Sequence, residues 1–213
     1  MNGVNTIIWD WNGTLLNDVD ICVDSINILL KERGHNTLDI NIYKSIFTFP
    51  VKDYYTKAGF DFTTEPFDEI AIKFIDIYKE KIEKSKLFGE VNNVLTYFRD
   101  KKYRQLMVSA MQNDFLNKTV SERGIAGFFE KIKGLDNHYA AGKVEIAKNL
   151  LTGLNISPAE ACFIGDTIHD YEVATEVGTR CLLVASGHQS FERLKKTGCP
   201  VVNSLEELNV FFE

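Results

Sequence analysis

The first apolar run covers residues 6–9, Thr-Ile-Ile-Trp, and stops at Asp10, with Gly13 marking a turn after it. Such a run, bounded by a turn signal, predicts a short strand buried on both faces. Over residues 18–31, Val19, Val23, Ile26, Leu29 and Leu30 recur at helical spacing, and Gly34 suits the helix stop. Shorter helices are expected at 41–47 and 52–57, around Pro50. A long amphipathic helix is predicted over 65–84, with Phe67, Ile70, Ala71, Phe74, Ile75, Tyr78 and Ile82 on one face. The stripe of Phe67, Phe74 and Tyr78 reads as core packing.

After Gly89 the pattern changes to alternating helices and short strands. Val91, Val94, Leu95 and Phe98 predict a helix, and residues 105–108 a strand ending at Ser109. A helix over 114–123, a weak strand near 131–133 and a helix over 142–151 follow. Residues 161–164 form a strand ending in Gly165-Asp166, with a helix through Glu176 after it. A strand at 180–184, a helix at 190–196, a short strand at 201–202 and a closing helix at 206–212 complete the reading.

Strands alternating with helices of this length predict an α/β fold, a parallel sheet covered on both faces. Residues 10–104 between the first two strands are mainly helical in pattern and too many for a simple crossover. Residues 16–85 are therefore read as an inserted helical domain, leaving 1–15 and 86–213 as the α/β core.

Composition narrows the partners more than the fold. The 213 residues carry a net charge of −6, which argues against a surface that binds the phosphate backbone of nucleic acid. Cys22, Cys162, Cys181 and Cys199 show no Cys-x-x-Cys spacing and read as reduced packing or surface residues. No window approaches the ~18 consecutive apolar residues of a membrane span, and the N-terminus lacks a leader pattern. A cytoplasmic protein with no membrane partner is expected.

In open parallel sheets, ligands bind at the carboxyl ends of the strands. The first strand delivers Asp10, Trp11, Asn12, Gly13 and Thr14 there, and the second Ser109 and Ala110. The strand at 161–164 delivers Asp166 and, a turn later, Asp170, while Lys143 opens the helix after the weak strand. An acid, a hydroxyl, a lysine and an acidic pair thus converge on one crevice. The bland readings are that Asp166 and Asp170 cap a helix start, where Asp is favoured, and that Lys133 or Lys148 competes with Lys143. His169 and His188 read as surface or supporting residues.

The motif Asp10-Trp11-Asn12-Gly13-Thr14-Leu15, followed by Ser109, Lys143 and Gly165-Asp166-Thr167-Ile168-His169-Asp170, resembles the haloacid dehalogenase superfamily in content and order. The resemblance spans the chain and points to the phosphoglycolate phosphatase-like branch, whose members carry a small helical cap between the first and second motifs. It implies a Rossmann-like parallel core and hydrolysis of a small phosphorylated metabolite by a monomer or dimer. Asp10 would be the nucleophile, forming an aspartyl-phosphate. Mg²⁺ would lie between Asp10, the backbone carbonyl of Asn12 and Asp166, with Asp170 orienting the metal site or reaching the ion through water. Ser109 and the Ala110 amide would bind phosphoryl oxygens, and Lys143 would neutralise their charge.

One position departs from the family pattern. Phosphatases of this kind carry a second aspartate two residues after the nucleophile, to protonate the leaving oxygen and later activate water. Here that residue is Asn12, whose amide can do neither, and such general acid–base help is commonly worth ~10²–10⁴ in rate. Either turnover is slow or another group, such as His169 or His188, moves the proton. The alternatives are a phosphonoacetaldehyde hydrolase, with Lys52 of the cap forming a Schiff base, and a catalytically weak phosphate-binding protein. The segment Lys52-Asp53-Tyr54-Tyr55 looks more like the phosphatase branch.

Overall fold

The computed structural model describes residues 1–135 and 142–212. Its centre is a six-stranded parallel sheet in the order β5-β4-β1-β6-β7-β8. The strands are β1 (Thr6–Trp9), β4 (Arg104–Gln112), β5 (Lys131–Leu135), β6 (Ala161–Gly165), β7 (Arg180–Val184) and β8 (Val201–Val202). Side chains of successive residues leave a strand on opposite faces, and both faces here are covered. Ile7, Trp9, Met107 and Cys162 pack on one side, with Val94 and Phe98 of α5 (Val91–Asp100) and Leu116 of α6 (Asn113–Glu122). Ile8, Leu106 and Phe163 pack on the other, against α7 (Lys143–Gly153) and α8 (Ile168–Val177). Double burial explains why these strands read as apolar runs rather than as alternating patterns. Cys22, Cys162, Cys181 and Cys199 are all free thiols.

The chain leaves β1 toward β4 and β5 on one side and returns to β6, β7 and β8 on the other. β1 is therefore the switch point of the sheet, where the first connections diverge and leave a crevice at the carboxyl ends. Four helices are inserted between β1 and α5: α1 (Val19–Glu32), α2 (Ile40–Ile46), α3 (Val51–Ala58) and α4 (Phe67–Lys81). They enter and leave through an antiparallel pair, β2 (Leu16–Asn17) against β3 (Lys86–Leu87), with Leu16 opposite Leu87. Two residues a side carry no periodicity, so this pair has no signature in the sequence.

Three elements differ from expectation. The helix predicted over 65–84 starts at Phe67, after Pro66, and tightens into a 3-10 turn at Ile82–Lys84. The closing helix is 3-10 throughout, Leu205–Phe211. β4 does not end at Ser109 but runs to Gln112, with its register against β5 shifting between Val108 and Gln112. That irregularity is what lets a polar, functional stretch ride on a strand whose first half is core. Among the described residues, no helix is long and apolar enough to cross a membrane.

Candidate active site

Asp10 directly follows β1, and its amide donates to the Ile164 carbonyl of β6 (2.9 Å), continuing the sheet's bonding one residue past the strand. The next residues turn back tightly: the amides of Leu15 and Leu16 both donate to the Trp11 carbonyl. Gly13 sits in this turn at φ +71°, a conformation L-residues rarely adopt. A second constraint also demands glycine there, since a Cβ would overlap the Asp166 carboxylate. Gly187 and Gly165 serve the same end: a Cβ on either would run into Asp166 or Asp170. Three glycines thus make room for two acids.

Lys143, the first residue of α7, is buried and donates to Asp10 Oδ1 and Asp170 Oδ1, each at 2.6 Å. Lys133 is exposed, and Lys148 pairs with Glu176 at the surface, so neither competes for this position. Asp170 Oδ2 accepts from the Thr167 amide (3.0 Å) and hydroxyl (2.7 Å), and the Thr167 side chain accepts in return from the Asp170 amide. This reciprocal pair is a capping box at the start of α8. Asp170 is therefore both a helix-capping residue and a member of the site. Asp166 is held by the Thr14 hydroxyl (3.0 Å) and the His188 amide (2.6 Å).

Asp10, Asp166 and Asp170 each present an oxygen within 4.8 Å of the others. Burial, opposed by Lys143 and reinforced by the two neighbouring acids, pushes Asp10 above the usual carboxylate range. Burial also raises Asp166 to about 6, against the attraction of His188. For Asp170, burial works upward too, but the Lys143 charge and the Thr167 hydrogen bonds win and hold it below the ordinary value. The Lys143 ammonium is stabilised in turn by both acids. Three buried carboxylates against one ammonium leave an excess of negative charge. The three carboxylates offer hard oxygens, a donor set that could hold a hard metal cation.

Ser109 and Ala110 lie on β4 beside this cluster and line the same cavity as Asp10, Lys143 and Asp170. The Ser109 hydroxyl accepts from the Met111 amide (3.1 Å), which fixes its orientation and leaves its proton free to donate. Of the predicted residues, the structure brings Asp10, Asn12, Ser109, Ala110, Lys143, Asp166 and Asp170 to one place. It does not bring Lys52 there. That side chain is exposed, with its Nζ 5.6 Å from the Phe62 ring centroid, because α3 turns Tyr54, Tyr55 and Ala58 inward.

Two residues outside the expected set complete the floor. Asp18, buried just before α1, does not cap that helix but accepts from the Gly13 amide (2.9 Å), Asn12 Nδ2 (2.8 Å) and the Tyr78 hydroxyl (2.7 Å). His188, expected at the surface or in support, is buried, with Nε2 3.4 Å from Asp18 Oδ1 and Nδ1 2.9 Å from the Tyr43 hydroxyl. Burial opposes its charge, yet the Asp18 carboxylate raises it to about 9. Asn12 Nδ2 also reaches the Tyr78 hydroxyl at 2.7 Å, so its amide is engaged twice. A distant aspartate and histidine joined only by the fold leave no local sequence signal; the one hint is a helix-start Asp close behind a tight turn.

Helices α1–α4 close over this floor. The turn after α2 is fastened to the core by Gln189 Nε2 (2.9 Å) and Arg193 (2.6 Å), both donating to the Phe47 carbonyl. Between floor and helices lies a cavity of about 490 Å³. Phe67, Phe74 and Tyr78 do pack in the hydrophobic core, as expected, and they also line this cavity.

The sequence can now be set beside known proteins. The model of the haloacid dehalogenase-like hydrolase family matches residues 7–184, most of the chain and every floor residue except Gly187 and His188. The chain belongs to that family. It is similar to N-acetylmuramic acid 6-phosphate phosphatase of Pseudomonas putida, 23% identical over 189 residues that cover 87% of this chain and 84% of that one. Among solved structures, a haloacid dehalogenase-like protein from Streptococcus pneumoniae superposes with a TM-score of 0.85 at 20% identity, over 100% of both chains. A Haemophilus somnus protein assigned by prediction as a phosphoglycolate phosphatase gives 0.79 at 16% identity, again over 100% of both. At these identities the structural likenesses show the fold.

Proposed function

We propose that this haloacid dehalogenase-like hydrolase is a Mg²⁺-dependent phosphohydrolase, in which Asp10 attacks the phosphorus of a small phosphate monoester. Residues 1–15 and 86–213 act as the catalytic core and 16–85 as a cap. The observation that carries the reading is the Asp10–Lys143–Asp170 contact, 2.6 Å on each side, beside Asp166 and at the base of the cavity. The distant phosphatase relative supports the reaction class.

The chain's own residues divide the work. Lys143 holds one Asp10 oxygen, leaving the other to attack, and neutralises charge on the incoming phosphoryl group. Ser109 and the Ala110 amide bind its nonbridging oxygens. Asp10, the Asn12 carbonyl and Asp166 would hold Mg²⁺, with Asp170 in support; the ion, when bound, screens the repulsion between carboxylate and phosphate. Attack forms the Asp10 acyl-phosphate bond and breaks the bond from phosphorus to the ester oxygen, which leaves as the alcohol. Water then cleaves the acyl phosphate and restores the carboxylate.

Asn12 donates to Asp18 and Tyr78 and carries no transferable proton. His188 has both ring nitrogens engaged. Proton traffic then falls to water or to His169, which lines the same cavity, and without a dedicated acid turnover falls short of an acid-assisted relative by about 10²–10⁴. The test is phosphate release from p-nitrophenyl phosphate and a panel of metabolite esters with Mg²⁺, expected to disappear in Asp10→Asn. Release no greater than in that variant, across the whole panel, would sink the proposal.

A further inference from the structure

The cavity above Asp10 is built unlike its floor. From the inserted helices it is lined mainly by rings, among them Phe47, Phe49, Tyr54, Phe67 and Phe74. Among the described residues of that insertion, Asp18 and Lys79 are the charged side chains on its wall. Asp18 is already saturated by Asn12, Gly13 and Tyr78. Lys79 is exposed at the mouth, its ammonium 5.7 Å from the Phe115 ring centroid. Among the described residues no arginine lines the wall, so none of them is arranged to grip a carboxylate with two parallel hydrogen bonds. A two-carbon acid phosphate would leave most of the roughly 490 Å³ to water against rings, and pockets of ~300–1,000 Å³ suit much larger ligands.

Three of the wall's tyrosines offer rings rather than free hydroxyls: Tyr43 meets His188, Tyr78 meets Asp18, and the Tyr54 hydroxyl is inaccessible.

We propose that the site takes phosphate monoesters of a ring-bearing, largely apolar alcohol, with the ring packed among Phe47, Phe67 and Phe74. This rests on the phosphohydrolase reading for turnover, but not for binding. Aromatic walls bind rings through dispersion and edge-to-face contact, while the floor holds the phosphoryl group whatever the alcohol.

The experiment has two arms. In the first, kcat/KM is measured with Mg²⁺ for ethyl phosphate, 2-phenylethyl phosphate and phosphoglycolate, whose alkyl linkages keep the leaving groups comparable. The phenyl ester should exceed ethyl phosphate by about tenfold to a hundredfold, since each buried methylene commonly brings about tenfold. Phosphoglycolate should fall no higher than ethyl phosphate. Tyr54→Phe should leave the phenyl-to-ethyl ratio standing, whereas Phe74→Ala should shrink that ratio. In the second arm, calorimetry compares binding of ethylphosphonate and 2-phenylethylphosphonate, which lack the bond to be cleaved. Tighter binding of the phenyl compound without any ester turnover would keep the ligand class and remove the hydrolase reading. Equal binding of the two, or a preference for phosphoglycolate, would overturn the ligand class whether or not the enzyme turns over.

Discussion

The floor and the roof of this one cavity are made of opposite materials. The floor packs four carboxylates, an ammonium and a histidine into a space where glycines at 13, 165 and 187 keep Cβ atoms off Asp166 and Asp170. The roof sets rings against one another, as in the Phe47–Tyr54 (5.2 Å) and Tyr55–Phe74 (6.0 Å) pairs. A charged floor must be held rigidly, because each buried charge is tolerable only while its partners stay in place. An apolar roof is non-directional and tolerates change in volume and shape far better. The division matches the chemistry: phosphoryl transfer is the same for every ester, and only the alcohol differs.

The contrast breaks most visibly at Lys143. In Lys143→Met, Asp10 and Asp170 lose their shared cation while staying buried, which should cost about 3–5 kcal/mol of stability. Urea denaturation measures it, and added Mg²⁺ should recover part of the loss if the floor is a cation site. A loss below 1 kcal/mol would mean that the floor is not a charge-balanced unit.

The next effect is one of pH. His188 ordinarily titrates at 6.5 and is raised to about 9 in the fold, with burial opposing and Asp18 favouring the charge. The folded state therefore holds this proton more tightly than the unfolded chain. The stability it brings is fully present below about pH 6.5 and is lost as pH rises through 9. A shift of this size corresponds to at most about 3 kcal/mol. Asp18, lowered despite its burial by His188 and its hydrogen bonds, adds stability that disappears only in acid. The urea midpoint should fall between pH 6.5 and 9 in the parent, and the fall should flatten in His188→Gln. Parallel curves would show that the pair does not couple to folding.

On the roof the same size of change should do less. Phe74 is half-buried, so Phe74→Ala should cost about 2 kcal/mol, below the 3–5 of a fully buried ring. Its effect on kcat/KM should depend on the alcohol, whereas Lys143→Met should depress every ester alike. Uniform loss in both variants would erase the distinction between floor and roof.

What could be read from the sequence follows the same line. β1 was legible to the residue, because a doubly buried strand must be apolar and must stop where a charge follows. Asp10, Lys143, Asp166 and Asp170 were legible as a group, because strand ends and helix starts are places the local pattern locates. The roof was not. Phe67, Phe74 and Tyr78 recur at helical spacing whether they fill a core or wall a cavity, since either way the ring leaves bulk water. Lys52 was misplaced for a related reason: position in the inserted segment says nothing of helix phase, and Tyr54 and Tyr55 claim the inward side of α3. Asp18 and His188, 170 positions apart by their numbers, meet only when the sheet is assembled.

Asn12 sits where floor and roof join, and it yields the smallest but most discriminating prediction. As a bare departure from the family pattern it invites restoration: an aspartate there should bring back an acid and accelerate turnover. Its surroundings say otherwise. The Asn12 amide is a donor to Asp18 Oδ2 at 2.8 Å and to the Tyr78 hydroxyl at 2.7 Å. Tyr78 itself donates to Asp18. Replacing the amide by a carboxylate removes two donated hydrogen bonds and sets a second acid against a buried one, at about 1–2 kcal/mol. Asn12→Asp alone should therefore lower stability and leave phosphate release at or below the parent's rate. Asp18→Asn in the same chain restores a donor facing the new acid, so the double variant should regain the stability and exceed the parent in turnover. A large gain from Asn12→Asp alone would show that Asp18 does not dictate the amide, and that the floor is less tightly coupled than its hydrogen bonds imply.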